Sequence, residues 1–225
     1  MTAPHPSDPE TDRWHHEIQS PVGALVIVAG LGPGSGIRAT TNTENGTGTE
    51  SVAIVGVYHA EHSPAPDPAR LGLRILTDDV REWDAPTTTS DSAVAPPTPV
   101  VDLLLRADQE LAEHFAGSRR TFDLPLELHG TEFQRQVWAE LGTIPYGDTR
   151  SYRDIAVRLG NHRMGRAIGA AVRSNPVSII VPGHRVVSST GAVIGYAAGT
   201  GTKTALLELE ADHRDDPGPG PGALR

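Results

Sequence analysis

The 225 residues exceed the usual size of one domain, so two packed units with flexible ends are expected. A composition of 37% hydrophobic and 21% charged residues is that of a soluble globular protein, and 24 Gly with 19 Pro imply several loops or tails. The absence of cysteine excludes disulfides, cysteine-ligated zinc and every thiol mechanism.

No apolar run approaches membrane-spanning length, and the start, Met1 to Asp12, is polar and acidic rather than a signal peptide, so a cytoplasmic chain without membrane association is expected. The formal charge of −9 speaks against nonspecific nucleic-acid binding, but it is unevenly spread. Thr131 to Glu210 holds 9 Lys+Arg against 6 Asp+Glu, a local +3 that leaves −12 for the rest of the chain. A basic third in an acidic chain is a candidate polyanion face, although on charge alone a solvated mixed-charge surface is the plainer reading.

In chain order, residues 1–19 read as a flexible tail. An N-terminal α/β unit is expected over 20–125, with strands at Leu25 to Val28 and Val52 to Tyr58. The Gly-, Thr- and Asn-rich stretch 30–50 reads as a long loop, and the Pro/Thr/Ser/Ala stretch 82–99 as a mobile connection. The glycines of 30–36 have the wrong spacing for a phosphate loop, and Asn45-Gly-Thr47, although a formal glycosylation acceptor, gets no function without a secretory signal. Val101, Leu104, Leu105, Leu111 and Phe115 recur at helical spacing, with Gly117 as the stop. Leu124 to Leu128 looks extended.

A second unit is expected over 126–211. Thr131 caps a helix through Phe133, Val137, Trp138 and Leu141, ending before Pro145-Tyr-Gly147. Ser151 opens a short helix closed by Gly160, and a further one runs from about Met164 to Val172, a helix-turn-helix candidate that is weak by itself because such pairs are common packing units. The later helix combines small residues (Gly165, Ala167, Gly169, Ala170, Ala171) with Arg163, Arg166 and Arg173. Two glycines in a helix interior cost about 1 kcal/mol each, which suggests a need for close approach, either to a neighbouring element or to nucleic acid. Ser178 to Val181 is a short buried run, Tyr196 to Gly199 a compact loop, and Ala205 to Glu210 the last helix. Residues 212–225, with Pro217-Gly-Pro-Gly-Pro-Gly222, should be disordered.

Taken together, Phe133-Gln-Arg-Gln-Val-Trp138, Ile144-Pro-Tyr-Gly147, Ser151-Tyr152, Arg166-Ala-Ile-Gly169, Arg173-Ser-Asn-Pro176 and Ile179-Ile-Val-Pro-Gly-His-Arg-Val186 make Gly130 to Glu210 closely resemble the O6-alkylguanine-DNA alkyltransferase family. Ser20-Pro-Val-Gly23 and Phe122-Asp-Leu-Pro125 look like that family's preceding domain. The resemblance implies an α+β protein: a ribonuclease-H-like N-terminal domain, then a mostly helical DNA-binding domain containing the helix-turn-helix. It also implies no cofactor or metal, a monomer, and double-stranded DNA containing O6-alkylguanine as the partner.

In that family the site reads Pro-Cys-His-Arg and the cysteine accepts the alkyl group, activated by a histidine that a glutamate orients. Here Gly183 stands at the cysteine's place, while His184 and Glu210 match the relay, so transfer to sulfur is impossible. The resemblance assigns Arg166 to the finger that fills the stack vacated by a rotated base, Tyr152 to displacement of the 3′ phosphate, and Asn175 to the turn before the site. It places Ser151, Gly169, Ala170 and Arg173 on the DNA face, and Val181, Pro182 and Tyr196 with Tyr152 around the lesion pocket. Considered singly, each has a plainer reading: Arg166 a surface charge, Tyr152 a packing residue, His184 a hydrogen-bonded core histidine, Gly183 a glycine-only backbone angle. The expected function is a binding module like the alkyltransferase-like proteins, which lack the cysteine and flag lesions to excision-repair proteins. The alternatives are an inactivated Cys-to-Gly transferase, a hydrolase using a His184-activated water, and a purely structural homologue.

Overall fold

The computed structural model describes residues 12–32, 37–43, 46–75 and 96–214. Five strands form one mixed sheet: β1 (Arg13–Ile18), β2 (Leu25–Gly32), β3 (Ile37–Thr43), β4 (Gly46–His59) and β5 (Leu73–Arg74), in the order β3-β4-β2-β1-β5. All neighbours are antiparallel except β1 and β5. Helix α1 (Thr98–Phe115) lays Val100, Val101, Leu104, Ala107 and Leu111 against β1, β2 and β4, and the core forms there around Leu25, Ile27, Ile54 and Val57. Four more helices follow: α2 (Glu132–Gly142), α3 (Tyr152–Arg158), α4 (Gly165–Arg173) and α5 (Gly199–Asp212). The pair β6 (Arg150–Ser151) and β7 (Val186–Val187) is parallel. The architecture is α+β, as expected, and no helix among the described residues is long and apolar enough to cross a membrane.

Several sequence expectations need correction. The tail assigned to 1–19 holds β1, whose Trp14, His16 and Ile18 alternate inward; an aromatic, a histidine and an isoleucine make too irregular an apolar pattern to stand out from the sequence. The loop assigned to 30–50 is largely β3 and the first half of β4, paired from Ile37 opposite Val52 to Thr43 opposite Gly46. Threonine is β-branched and suits a ladder, so a Thr-rich stretch is a poor loop signal. The connection assigned to 82–99 ends earlier, because Thr98 and Pro99 are the first turn of α1, where a proline's missing N–H costs nothing; residues 82–95 lie outside the described residues. The last helix starts at Gly199, six residues ahead of expectation, and continues into the segment expected to be disordered, of which 215–225 lie outside the described residues.

The caps were legible. Thr131 Oγ1 accepts from Gln134 N (3.2 Å) while Gln134 Oε1 accepts from Thr131 N (2.8 Å), and Ser151 and Asp154 repeat this box at α3. Trp138 Nε1 donates to Ala171 O at 2.8 Å, fixing α2 on α4.

Strand β4 joins the two halves of the chain. Past the reach of β3, its free edge bonds two C-terminal segments: Ile54 with Pro125 and Glu127, then Val57 N to Pro176 O (2.9 Å) and Ser178 N to Val57 O (2.9 Å). Two buried histidines reinforce the junction. His59 sits edge-on to Tyr196, and His114, at the end of α1, packs between Phe122 and Tyr146.

Leu104 is fully buried at the helix–sheet interface, so Leu104→Ala should lower the unfolding free energy by about 2–5 kcal/mol in urea titration, whereas Val157→Ala, at a 57% exposed position, should change it by less than about 0.5 kcal/mol. A pH effect follows from the histidines. Burial depresses both His59 and His114 from 6.5 to about 4, with Glu210 opposing it at His114. Between those values the unfolded chain takes up protons that the folded chain refuses, so stability is lost as pH falls from 6.5 toward 4. We expect each histidine to remove about 2–3 kcal/mol by pH 4.5, and His114→Phe to make the fall shallower in urea midpoints measured across that range.

Candidate functional site

Glu210, on the inner face of α5, is fully buried and gathers three elements. Its Oε1 accepts from His184 Nε2 at 2.7 Å and from Arg185 Nη2 at 2.9 Å; its Oε2 accepts from Arg185 Nε at 2.9 Å and from the backbone N–H of Gly147 at 3.0 Å. Arg185 Nη1 continues to Ile144 O at 2.7 Å. Burial alone would raise the Glu210 carboxyl, but the His184 hydrogen bond and the Arg185 guanidinium hold it down to about 2. Burial in turn lowers His184, with Glu210 opposing. With an ionised carboxylate as acceptor, Nε2 must carry the proton of the neutral imidazole, which leaves Nδ1 as a bare lone pair. That Nδ1 is buried and has no hydrogen-bond partner among the described residues.

Gly183 opens the 3₁₀ turn Gly183–Arg185 that carries this pair. Its φ is not left-handed, and a Cβ built on it would meet Val172 Cγ1 at 3.4 Å and Asn175 Nδ2 at 3.7 Å, ordinary contacts. The backbone there has no need of glycine. Asn175 staples the approach to the turn: its Nδ2 donates to Val181 O at 2.8 Å and its Oδ1 accepts from Val177 N at 3.1 Å. Within the stapled loop, buried Ile179 has a φ of +71°, an outlier for a β-branched residue that its surroundings must hold in place.

Tyr152, the first residue of α3, donates its hydroxyl to the carbonyls of Ile194 (3.1 Å) and Gly195 (3.2 Å). Lys203 of α5, fully buried, donates to Ile194 O at 2.8 Å and Gly195 O at 3.3 Å, with the Tyr152 oxygen at 3.5 Å. It has no ion pair among the described residues, and burial pushes it down to about 8. Sequence reading missed Lys203 because a lone lysine on a helix is ordinarily solvated. It also gave no role to Arg185.

A groove of about 730 Å³ lies against α4. Tyr152, Arg166, Gly169, Ala170, Arg173 and Asn175 all line it, so six of the residues singled out from the sequence share one surface. Val181, Pro182, Gly183 and His184 are buried and do not line it. Tyr196 does not line it either; its hydroxyl lies 3.2 Å from His59 Nε2. Ser151 Oγ is engaged in the cap of α3. The opposite wall, which includes Tyr58, Pro64 to Asp67 and Arg70, comes from the N-terminal half and was not foreseen. No group of three or more potential metal ligands occurs among the described residues.

Residues 132–212 match the model of the 6-O-methylguanine DNA methyltransferase DNA-binding domain. The chain is 48% identical over 107 residues to the methylated-DNA–protein-cysteine methyltransferase of Mycolicibacterium paratuberculosis, a match covering 48% of this chain and 65% of that protein. It is 47% identical over 107 residues to the protein of the same name from Methanosarcina barkeri, covering 48% of this chain and 68% of the relative. Among solved structures, the Mycobacterium tuberculosis O6-methylguanine methyltransferase superposes with a TM-score of 0.62 at 31% identity, covering 89% of this chain and 94% of that one. The Mycobacterium tuberculosis protein in complex with DNA matches with the same TM-score and coverage at 30% identity. The chain belongs to the O6-methylguanine-DNA methyltransferase family.

Proposed function

We propose that this chain binds double-stranded DNA at O6-alkylguanine, rotates the lesion out of the stack and leaves the alkyl group off itself. The observation that carries this reading is the buried His184–Glu210 pair beside Gly183 in a chain without a single cysteine. Gly183 stands where the family's acceptor cysteine stands, so the base that would activate a thiol is present and the thiol is not. In this reading α3 and α4 act as the helix-turn-helix, and the small residues Gly169 and Ala170 let α4 approach the floor of the minor groove. Arg166 fills the vacated stack, and Tyr152 displaces the neighbouring phosphate. Unstacking costs a few kcal/mol, which an exposed guanidinium stacked in the gap partly offsets. The N-terminal half is the ribonuclease-H-like domain of the family, and a monomer that marks lesions for excision-repair proteins is the role that fits a binder without turnover.

A second reading has one observation in its favour. The unpartnered Nδ1 of His184 could take a proton from a water, roughly 30 Å³ in size, lodged where the side chain is missing. Hydrolysis would then release the alkyl group as an alcohol.

Titration of matched duplexes with guanine or O6-methylguanine at fixed salt tests the proposal. We expect tighter binding of the lesion, no added mass on the protein and no loss of the lesion from the DNA. Arg166→Ala should lower lesion affinity about tenfold or more, whereas Arg158→Ala, whose guanidinium is already paired with Glu140, should have a small effect on both duplexes. Equal affinity for the two duplexes sinks lesion recognition, and multiple turnovers of lesion per chain select the hydrolytic reading.

The pair also predicts a gain of activity. Because a Cβ fits at position 183, Gly183→Cys should place a thiol beside His184 and accept one methyl per chain on intact-mass analysis, at a rate below the family's if the thiol sits an ångström out of line. Gly183→Ala is the control. A Gly183→Cys protein that binds the lesion and stays unmodified withdraws the relay roles of His184 and Glu210.

A further inference from the structure

The groove against α4 is larger than its C-terminal wall explains. A volume of about 730 Å³ lies in the range of pockets that enclose a whole drug-sized ligand, whereas a rotated base is only part of a nucleotide. Its far wall presents Arg70, which faces the same space as Arg166 and Arg173. All three are exposed, and none makes an ion pair among the described residues. Four other surface arginines are paired, Arg74 with Glu17, Arg135 with Glu132, Arg158 with Glu140 and Arg214 with Asp148, while the exposed Arg153 and Arg163, which do not line the groove, have no ion pair among the described residues. Among the described residues Asp67 is the carboxylate that lines the groove, so three guanidiniums share the described lining with one acid. A concave surface with that excess concentrates positive potential and fits a polyanion.

Arg70 is also held in place. It ends the 3₁₀ turn Pro68–Arg70, its N–H donates to Asp67 O at 2.8 Å, and its carbonyl accepts from Arg13 Nη1 at 3.3 Å. Gly72, two residues on, has a φ of +71° and lies so close to β1 that a Cβ there would overlap the Arg13 carbonyl. The backbone is thereby fixed against the edge of the sheet while the exposed side chain lines the groove.

We infer that the segment Tyr58–Arg70 is the second wall of the DNA site, with Arg70 holding a backbone phosphate of the strand that carries the rotated nucleotide. This rests on the DNA-binding reading above. It adds a contact from the N-terminal half to a site otherwise built from α3 and α4, and it gives the N-terminal half a direct part in affinity.

The test compares the full-length protein with Arg70→Ala, Arg70→Lys and Arg74→Ala by fluorescence anisotropy on O6-methylguanine and undamaged duplexes between 50 and 200 mM salt, a range of about fourfold over which counterion release is measurable. Arg70→Ala should weaken binding to both duplexes about three- to tenfold at low salt and reduce the slope of log K against log salt by about one. Arg70→Lys should keep the slope, and Arg74→Ala should match the parent. With the phosphates flanking the lesion replaced by neutral methylphosphonates, the parent should weaken toward Arg70→Ala and the variant should lose nothing more. If Arg70→Ala keeps the parental affinity and slope while the parent still prefers the lesion, the second wall falls and lesion binding stands. If the parent binds neither duplex, both fall.

Discussion

A buried carboxylate has to be neutralised, and in this protein that requirement organises the C-terminal half. Glu210 leaves water completely, so its charge must be met by Arg185, His184 and the Gly147 amide, which lie on separate pieces of chain. Removing one partner of a buried pair costs about 3–5 kcal/mol because the remaining charge stays unmatched. The 3₁₀ turn at Gly183, the loop before β6 and the helix α5 are therefore locked together by one side chain. Arg185 carries the larger share of this work, with three bonds to the carboxylate and one to Ile144 O, while His184 has one ring nitrogen without a partner among the described residues.

That division bears on what the pair means in a chain without cysteine. The Glu210–Arg185 bond would hold the turn whether or not any alkyl group is transferred, so its presence says nothing about reactivity. The His184 Nδ1 atom is buried without a hydrogen-bond partner among the described residues, as are His59 Nδ1 and both ring nitrogens of His114, so the missing partner does not by itself single it out. What sets it apart is its place on the turn that carries the Cβ-sized space at Gly183.

Most of the C-terminal site was legible in the sequence, and for local reasons. Thr131 with Gln134 and Ser151 with Asp154 are capping boxes that need only four residues each, and the motif from Ile179 to Val186 brings Gly183 and His184 within one turn. Asn175 was read as a turn residue, and it is one, with both side-chain atoms bonded to backbone. What escaped depends on contacts distant in sequence. Lys203 is buried only because Tyr152 and the Ile194–Gly195 carbonyls surround it, Tyr196 turns to His59 instead of the groove, and the Tyr58–Arg70 wall exists only because β4 carries it there. The hairpin of β3 and β4 was lost for another reason: threonine and glycine suit loops by polarity and ladders by backbone shape, and only pairing decides between them.

The backbone bonds between Val57 and the Pro176–Ser178 segment have a mechanical side. Tyr58 and Pro176 both line the groove, and next to them β4 and the Pro176–Ser178 segment form an isolated bridge with hydrogen bonds of 2.9 Å. Two parts of the groove's lining are thus tied to each other directly through backbone. A lining cross-tied in this way resists widening at that point. Under the proposed function, a duplex seated there would supply part of the deformation itself, and the pliability of its base steps would become part of what the protein selects.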